Sequence, residues 1–139
     1  MSSKFTVSVP LRLSLAGGGT DLPEYYLKMN TVLLTTALNE RIELSFSKEG
    51  IHEESELNNL FKKFVPDYNV TISSQINPGS GLGGSGAIAV GLVAAKYYIL
   101  NQKKTPYEIA FEAYQWEREY LKKSVGFQDQ FSVIFGGCV

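Results

Sequence analysis

Apolar and polar residues alternate in several stretches of the chain, and each stretch predicts a β-strand. Leucines alternate with polar residues over 11–15, which predicts a strand with Arg12 on its polar face. Segments 31–38 and 41–46 are rich in apolar and β-branched residues, so they predict two strands joined as a hairpin. Segment 70–76 predicts a further strand.

Other segments carry apolar residues at helical spacing. Segment 53–64 predicts an amphipathic helix, and segment 87–98 predicts a buried helix because it is apolar on most sides. Thr105 and Glu108 form a capping-box pattern with proline at the first helical position. This pattern predicts a helix that continues to about Lys122.

Two short segments complete the prediction. Asp21 is followed by Pro23 and by a glutamate, which predicts an N-cap and a short helix to about Met29. The valine and phenylalanine content of 127–135 favours a strand. The fold class predicted for residues 1–139 is therefore α+β, a mixed sheet packed with helices in one domain.

Composition and charge narrow the function. The 139 residues are 44% hydrophobic and 19% charged, which is typical of one globular domain. A formal charge of -1 provides no broad positive field for nucleic acid or an anionic membrane, so we expect neither as a partner. The single cysteine, Cys138, has no partner for an internal disulfide. No signal peptide is evident, and we expect a cytoplasmic protein.

The glycines are clustered rather than spread. They concentrate at 17–19, 79–86 and 136–137, and the second cluster lies between a predicted strand and a predicted helix. Glycine lets the backbone turn closely around a ligand, and the start of a helix favours an anion. This arrangement predicts a phosphate loop, although the Walker lysine is absent and an ordinary turn is the alternative.

The residues of these clusters resemble motifs of the GHMP kinases, the family of galactokinase, homoserine kinase, mevalonate kinase and phosphomevalonate kinase. The run Pro-Gly-Ser-Gly-Leu-Gly-Gly-Ser at 78–85 resembles the ATP-binding motif. Segment 10–23 resembles the substrate motif in its triple-glycine form, and segment 126–131 resembles the catalytic segment of the heptose phosphate kinase branch. The resemblance implies the fold of the GHMP kinase N-terminal domain. Because family members are about twice as long, it also implies a truncated chain without the C-terminal domain.

The resemblance also implies site residues and two cofactors, ATP and Mg²⁺. The expected ATP-binding residues are Pro78, Gly79, Ser80, Gly81, Leu82, Gly83, Gly84 and Ser85. The expected sugar-binding residues are Gly17, Gly18, Gly19, Thr20 and Asp21. Asp129 is expected to orient or deprotonate the attacking hydroxyl, and Arg12 to stabilise the charge that develops on the phosphoryl group. Ser85 and Glu117 are expected to bind Mg²⁺.

Several of these residues also have a simpler interpretation as ordinary structural residues. Asp129 fits an ordinary turn, Asp21 a plain N-cap, and Arg12 the solvent face of a strand. The helical pattern places Glu117 on the inward face, where an unpaired carboxylate is costly unless a metal binds it, and a tolerated glutamate at the boundary of the core is the alternative. Glu119 instead fits a solvated surface pair with the lysines that follow it.

The function that these expectations support is an ATP-dependent sugar kinase that phosphorylates a hydroxyl of a heptose phosphate. A non-catalytic nucleotide- or sugar-binding fragment that pairs with a C-terminal half is the alternative. A third possibility is an interaction module with a decayed site. Self-association through an exposed sheet edge is a further expectation.

Overall fold

Eight elements form the fold in the part of the chain that the structure describes, and they combine strands and helices as the α+β prediction requires. The computed structural model describes residues 3–50, 54–77 and 79–138. The elements are β1 (Lys4–Ala16), α1 (Pro23–Tyr26), β2 (Leu34–Ser47), α2 (Glu56–Lys62), β3 (Asn69–Ser73), α3 (Gly84–Ile99), α4 (Pro106–Glu119) and α5 (Gln128–Phe135).

The strands form one sheet in the order β1-β2-β3. Both pairings are antiparallel, so the part of the sheet that the structure describes is antiparallel rather than mixed. Near the end of the described chain, Ala37 N donates to Gly137 O at 2.7 Å, and Thr36 forms an isolated antiparallel bridge with Cys138. Gly137 and Cys138 therefore lie beside the part of β2 that continues beyond the end of β3.

The predicted hairpin between 31–38 and 41–46 is wrong, because residues 34–47 form the single strand β2. Both halves of β2 pair with the long strand β1 instead of with each other. The partner residue shifts from Arg41, opposite Pro10, to Ala37, opposite Arg12. Residues 38–40 therefore form a bulge within a continuous strand, where the sequence suggested a turn.

The helix α3 packs against the strands β1 and β2 and against the helices α4 and α5. This position explains why its sequence is apolar on most sides. At Gly91 a Cβ atom would lie 2.0 Å from Leu44 Cδ1, so glycine is needed for the close approach of helix and sheet. The predicted buried helix is confirmed, and its first turn carries Ser85 toward α4.

The segment predicted as a strand at 127–135 is wrong, because residues 128–135 form the helix α5. Ser132 Oγ donates to Gln128 O at 2.5 Å, and the buried side chains of the segment include Gln128, Ser132 and Val133. Residues 128 and 132 lie one helical turn apart, so they share a face that packs on the rest of the domain. Tertiary packing has overridden the strand preference of the valine and phenylalanine residues.

The capping box of α4 is confirmed. Thr105 Oγ1 accepts from Glu108 N at 3.2 Å, and Glu108 Oε2 accepts from Thr105 N at 2.8 Å. We expect Thr105→Ala to lower the free energy of unfolding by about 1 kcal/mol, because the hydroxyl acceptor is lost. Urea denaturation monitored by circular dichroism measures this change.

Thr105→Ser is the matched control for this prediction. Serine retains the hydroxyl acceptor, so its stability should stay close to that of the wild type. Equal losses in the alanine and serine variants would show that the hydroxyl does not stabilise α4.

Candidate functional site

A cleft of about 540 Å³ lies where the glycine-rich loop meets β1 and α5. Its wall includes Arg12 from β1, Asp129 from α5, the loop residues Gly79, Ser80, Gly81, Gly83, Gly84 and Ser85, and Lys123 from the connection between α4 and α5. Ile42, Ile72, Ile76 and Ile88 also contribute to the wall. The cleft therefore combines a glycine-rich backbone, charged groups and an apolar side.

The loop reaches its shape through glycines in the left-handed region. Gly79, Gly81 and Gly83 have φ values of +83°, +78° and +73°. Side chains disfavour this region, so the three glycines are required by the path of the chain. Gly83 is the N-cap of the sixteen-residue helix α3, whose first N–H groups lack partners within the helix. Pro78 lies outside the described residues.

Arg12 and Asp129 form an ion pair across the cleft. Arg12 Nε and Nη2 lie 2.7 Å and 2.6 Å from the same carboxylate oxygen, Asp129 Oδ1. Arg12 Nη1 donates to Gly81 O at 2.7 Å, and the backbone N of Arg12 donates to Leu82 O at 3.0 Å. The solvent-facing interpretation of Arg12 is therefore wrong: its side chain joins the loop to Asp129.

Gly86 allows α5 to approach α3. A Cβ atom at position 86 would lie 2.4 Å from Asp129 Cβ, far inside normal contact. At Gly83 a Cβ atom would lie 2.9 Å from Arg12 Cγ. The glycines thus leave room for both members of the ion pair.

Glu117 faces inward, as the helical pattern predicts, and is only 1% exposed. Its carboxylate accepts hydrogen bonds from Ser85 Oγ and Gln130 Nε2. Burial raises the pKa of Glu117 above its usual value of 4.5, and the hydrogen bonds from Ser85 and Gln130 oppose this rise. Lys123 Nζ donates to Ser85 Oγ at 3.0 Å, which adds a cation to the group.

Gln130 is a residue of this site that sequence reasoning missed. Its side chain is fully buried, and its amide nitrogen holds one oxygen of Glu117. The only sequence signal is its place directly after Asp129, because a neutral amide leaves no mark in a charge pattern.

Asp21 is buried at the first turn of α5 and does not cap α1. The N-cap of α1 is Leu22, with no side-chain cap, so the N-cap prediction for Asp21 is wrong. Asp21 is 6% exposed, and its Oδ2 accepts from Gln128 N at 3.0 Å. A Cβ atom at Gly126 would lie 2.0 Å from this oxygen, so glycine is needed beside it. Sugar binding by Asp21 stays a prediction.

The rest of the first glycine cluster forms a tight turn. Gly17 and Gly19 have φ values of +79° and +88°, and Thr20 Oγ1 donates to Gly17 O at 2.6 Å. Gly18 faces Ser14, whose Oγ accepts from Gln128 Nε2 at 2.7 Å. The hydrogen bond between Ser14 and Gln128 therefore joins the end of β1, just before this turn, to α5 at the residue that precedes Asp129.

Comparisons with known proteins identify the family of this chain. The family model described as the GHMP kinases N terminal domain matches residues 54–137. The chain belongs to the GHMP kinases. It is 32% identical to D-glycero-alpha-D-manno-heptose 7-phosphate kinase from Campylobacter jejuni subsp. jejuni. The alignment has 160 positions and covers 92% of this chain and 47% of that protein.

Solved GHMP kinases share its fold. A D-glycero-D-manno-heptose 1-phosphate kinase from Bacteriodes thetaiotaomicron superposes with a TM-score of 0.81 at 25% identity, over 96% of this chain and 54% of that one. Lactococcus lactis galactokinase complexed with galactose gives a TM-score of 0.76 at 15% identity, over 97% and 42%. This GHMP kinase domain thus spans about half the length of its relatives. No helix in its described part is long and apolar enough to cross a membrane.

Gly86 provides a stability test of the cleft. We expect Gly86→Ala to lower the free energy of unfolding by about 1–3 kcal/mol, because the new methyl group collides with Asp129 Cβ. This loss should occur although alanine favours a helix by about 1 kcal/mol over glycine. Chemical denaturation measures it.

Gly84→Ala is the matched control on the same helical turn. A Cβ atom there lies 3.6 Å from Ile42 Cδ1, an ordinary contact, so we expect no loss of stability. Equal stability of the two alanine variants would contradict the close packing of Asp129 on α3.

Glu117 provides a pH test. Because its pKa is raised in the folded state, folding is favoured when Glu117 is protonated, and this contribution is lost as pH rises from about 4.5 through the folded pKa. Glu117→Gln stays neutral throughout. In magnesium-free buffer, the unfolding free energy of the wild type relative to this variant should fall as pH rises above about 4.5. A difference that is constant or rises with pH would show that Glu117 is not destabilised by burial.

Proposed function

We propose that this chain is the ATP-binding half of a sugar kinase that transfers the γ-phosphoryl group of Mg-ATP to a hydroxyl of a heptose phosphate. The supporting observation is that the glycine loop, Arg12 and Asp129 share one cleft, and that Ser85 on the wall of this cleft donates a hydrogen bond to Glu117 behind it. The names of the heptose phosphate kinases among its relatives support the choice of substrate.

The nucleotide phosphates would lie against residues 78–85. The helix α3 begins directly after Gly83, the last loop residue before it. The N–H groups of its first turn have no partner within the helix, and they favour an anion. The sugar phosphate would contact the turn formed by residues 17–21, which is tied to α5 through Ser14 and Gln128. Asp21 Oδ2 already accepts a hydrogen bond from Gln128 N, so the proposed contact with a sugar hydroxyl would use Oδ1.

Ser85 and Glu117 fit a magnesium ion. The Ser85 hydroxyl is hydrogen-bonded to the Glu117 carboxylate. Because burial disfavours the negative charge of Glu117, a bound cation would stabilise this carboxylate. In the described part of the chain no three histidine, cysteine or acidic side chains form a metal-binding group. Magnesium needs no such group, since it usually takes one or two carboxylates with phosphates and waters. When bound, it would neutralise charge on the phosphates.

Asp129 and Arg12 would perform the transfer chemistry. The two contacts that Arg12 makes with Asp129 are both to Oδ1. Asp129 Oδ2 is therefore left to accept the proton of the sugar hydroxyl. Arg12 would orient Asp129 and stabilise the negative charge that develops on the transferred group. The bond from Arg12 to Gly81 O places this guanidinium beside the phosphate loop.

Nucleotide binding without turnover is a second candidate function. The chain spans 47% of the heptose 7-phosphate kinase and 54% of the heptose 1-phosphate kinase, and nucleotide binding requires only the glycine loop and the start of α3, which lie within this span. A partner equivalent to the other half of the relatives would then complete the site, and self-association through a sheet edge is the other proposed contact. We propose a cytoplasmic location, because the exposed Cys138 thiol fits a reducing compartment.

Thermal unfolding with and without Mg-ATP tests the proposed function. At about 100 times its dissociation constant, Mg-ATP should stabilise the folded chain by about 2.7 kcal/mol. ADP release with a heptose 7-phosphate then distinguishes the two candidates, because turnover supports the kinase and binding alone supports the second function. An unfolding transition that does not move with Mg-ATP would contradict both.

Asp129→Asn tests the catalytic assignment. We expect it to reduce turnover by about 10²–10⁴-fold, because the general base is lost, and to retain Mg-ATP binding. Asp67→Asn, at an exposed position, is the matched control and should leave turnover unchanged. Wild-type turnover in Asp129→Asn would remove Asp129 from the mechanism.

A further inference from the structure

The glycine loop lacks the lysine that contacts phosphates in Walker loops, since Gly84 is followed by Ser85 rather than by lysine. Two cations line the cleft within the described chain, Arg12 and Lys123. Lys123 lies outside the loop in sequence, 38 positions after Ser85, and its Nζ is 3.0 Å from Ser85 Oγ. A lysine therefore lies beside the loop in space although none follows the loop in sequence.

The backbone at the end of α4 directs Lys123 to this place. Lys122 adopts a left-handed conformation with φ of 51°, which turns the chain after the helix. Lys123 N then donates to Glu117 O at 3.0 Å. The backbone of Lys123 is thus fixed to the residue whose carboxylate contacts Ser85.

The two cations of the cleft differ in their partners. The Arg12 guanidinium is bonded to Asp129 Oδ1 and Gly81 O. Lys123 Nζ has no carboxylate within 4.0 Å among the described residues, where the ion pairs are Arg12–Asp129, Lys96–Glu112 and Lys104–Glu108. An ammonium group has three donors, and Ser85 Oγ takes one of them. Lys123 therefore retains donors and charge for an anionic ligand.

We propose that Lys123 is a phosphate-binding residue of the nucleotide site, and that it supplies from the α4–α5 connection the cation that the loop lacks. This inference rests on the proposed function. When the nucleotide binds, Lys123 Nζ exchanges Ser85 Oγ for a phosphate oxygen, and Ser85 Oγ becomes available as a ligand. The exposed, flexible side chain permits this exchange.

Isothermal titration calorimetry of the 139-residue chain with Mg-ATP and with adenosine tests the inference. Lys123→Met should weaken Mg-ATP binding by about 10-fold or more, because a charge-assisted hydrogen bond is lost. Its affinity for adenosine should stay unchanged. Lys123→Arg should retain Mg-ATP affinity to within about threefold, since it keeps the charge.

Lys103→Met is the matched control, because Lys103 is an exposed lysine that lies outside the residues of the cleft. It should bind Mg-ATP like the wild type. Thermal unfolding without ligand should be the same for both methionine variants, which separates a loss of binding from a loss of folding.

The possible outcomes distinguish this inference from the function on which it rests. If the wild type binds Mg-ATP and Lys123→Met binds it equally well, the inference is wrong and the proposed function stands. Tighter Mg-ATP binding by Lys123→Met would also overturn the inference, because it would show that Lys123 competes with a cation at Ser85. A wild type that does not bind Mg-ATP would overturn both.

Discussion

The ion pair between Arg12 and Asp129 is the contact on which the cleft depends. It joins the first strand to the last helix of the described chain, and Arg12 also holds the glycine loop through Gly81 O. The side chains of Arg12 and Asp129 are 12% and 21% exposed, so the pair is largely shielded from water. Removing one partner would leave the other charge poorly solvated, which is costly. The geometry of the loop and the position of α5 are therefore linked.

Glycines make this arrangement possible in two different ways. Gly79 and Gly81 supply left-handed backbone conformations that turn the loop. Gly86 and Gly126 instead supply space, because a side chain at either position would collide with Asp129 or with Asp21. The glycines thus reflect close packing of charged side chains as well as turns of the backbone.

The sequence predicts the elements whose signals are local. The leucine alternation in β1 and the capping box of α4 depend on neighbours in the chain, and both predictions are confirmed. The loop before α3 is found where the glycines predict it, and the inward face of Glu117 follows from helical spacing. These features depend on periodicity and on backbone chemistry, which a single sequence records.

The features that the sequence did not predict depend on distant partners. β2 is continuous because β1 is long enough to pair with both of its halves, although Asn39 and Glu40 have the character of a turn. α5 is a helix although its composition favours a strand, and the carboxylate that accepts from its first turn belongs to Asp21, over a hundred positions earlier. Lys123 contacts Ser85 at the cleft, and Gln130 contacts Glu117, through side chains that lie far apart in sequence.

The most direct test of the central claim, that distant motifs form one nucleotide cleft, is nuclear magnetic resonance of the ¹⁵N-labelled chain titrated with Mg-ATP. We expect the largest shifts at the backbone amides of residues 79–86, at the Asp129 amide and at the Arg12 Nε–H group, with α2 unaffected. Shifts confined to the loop, or centred on α2, would contradict a cleft that unites the loop with Arg12 and Asp129.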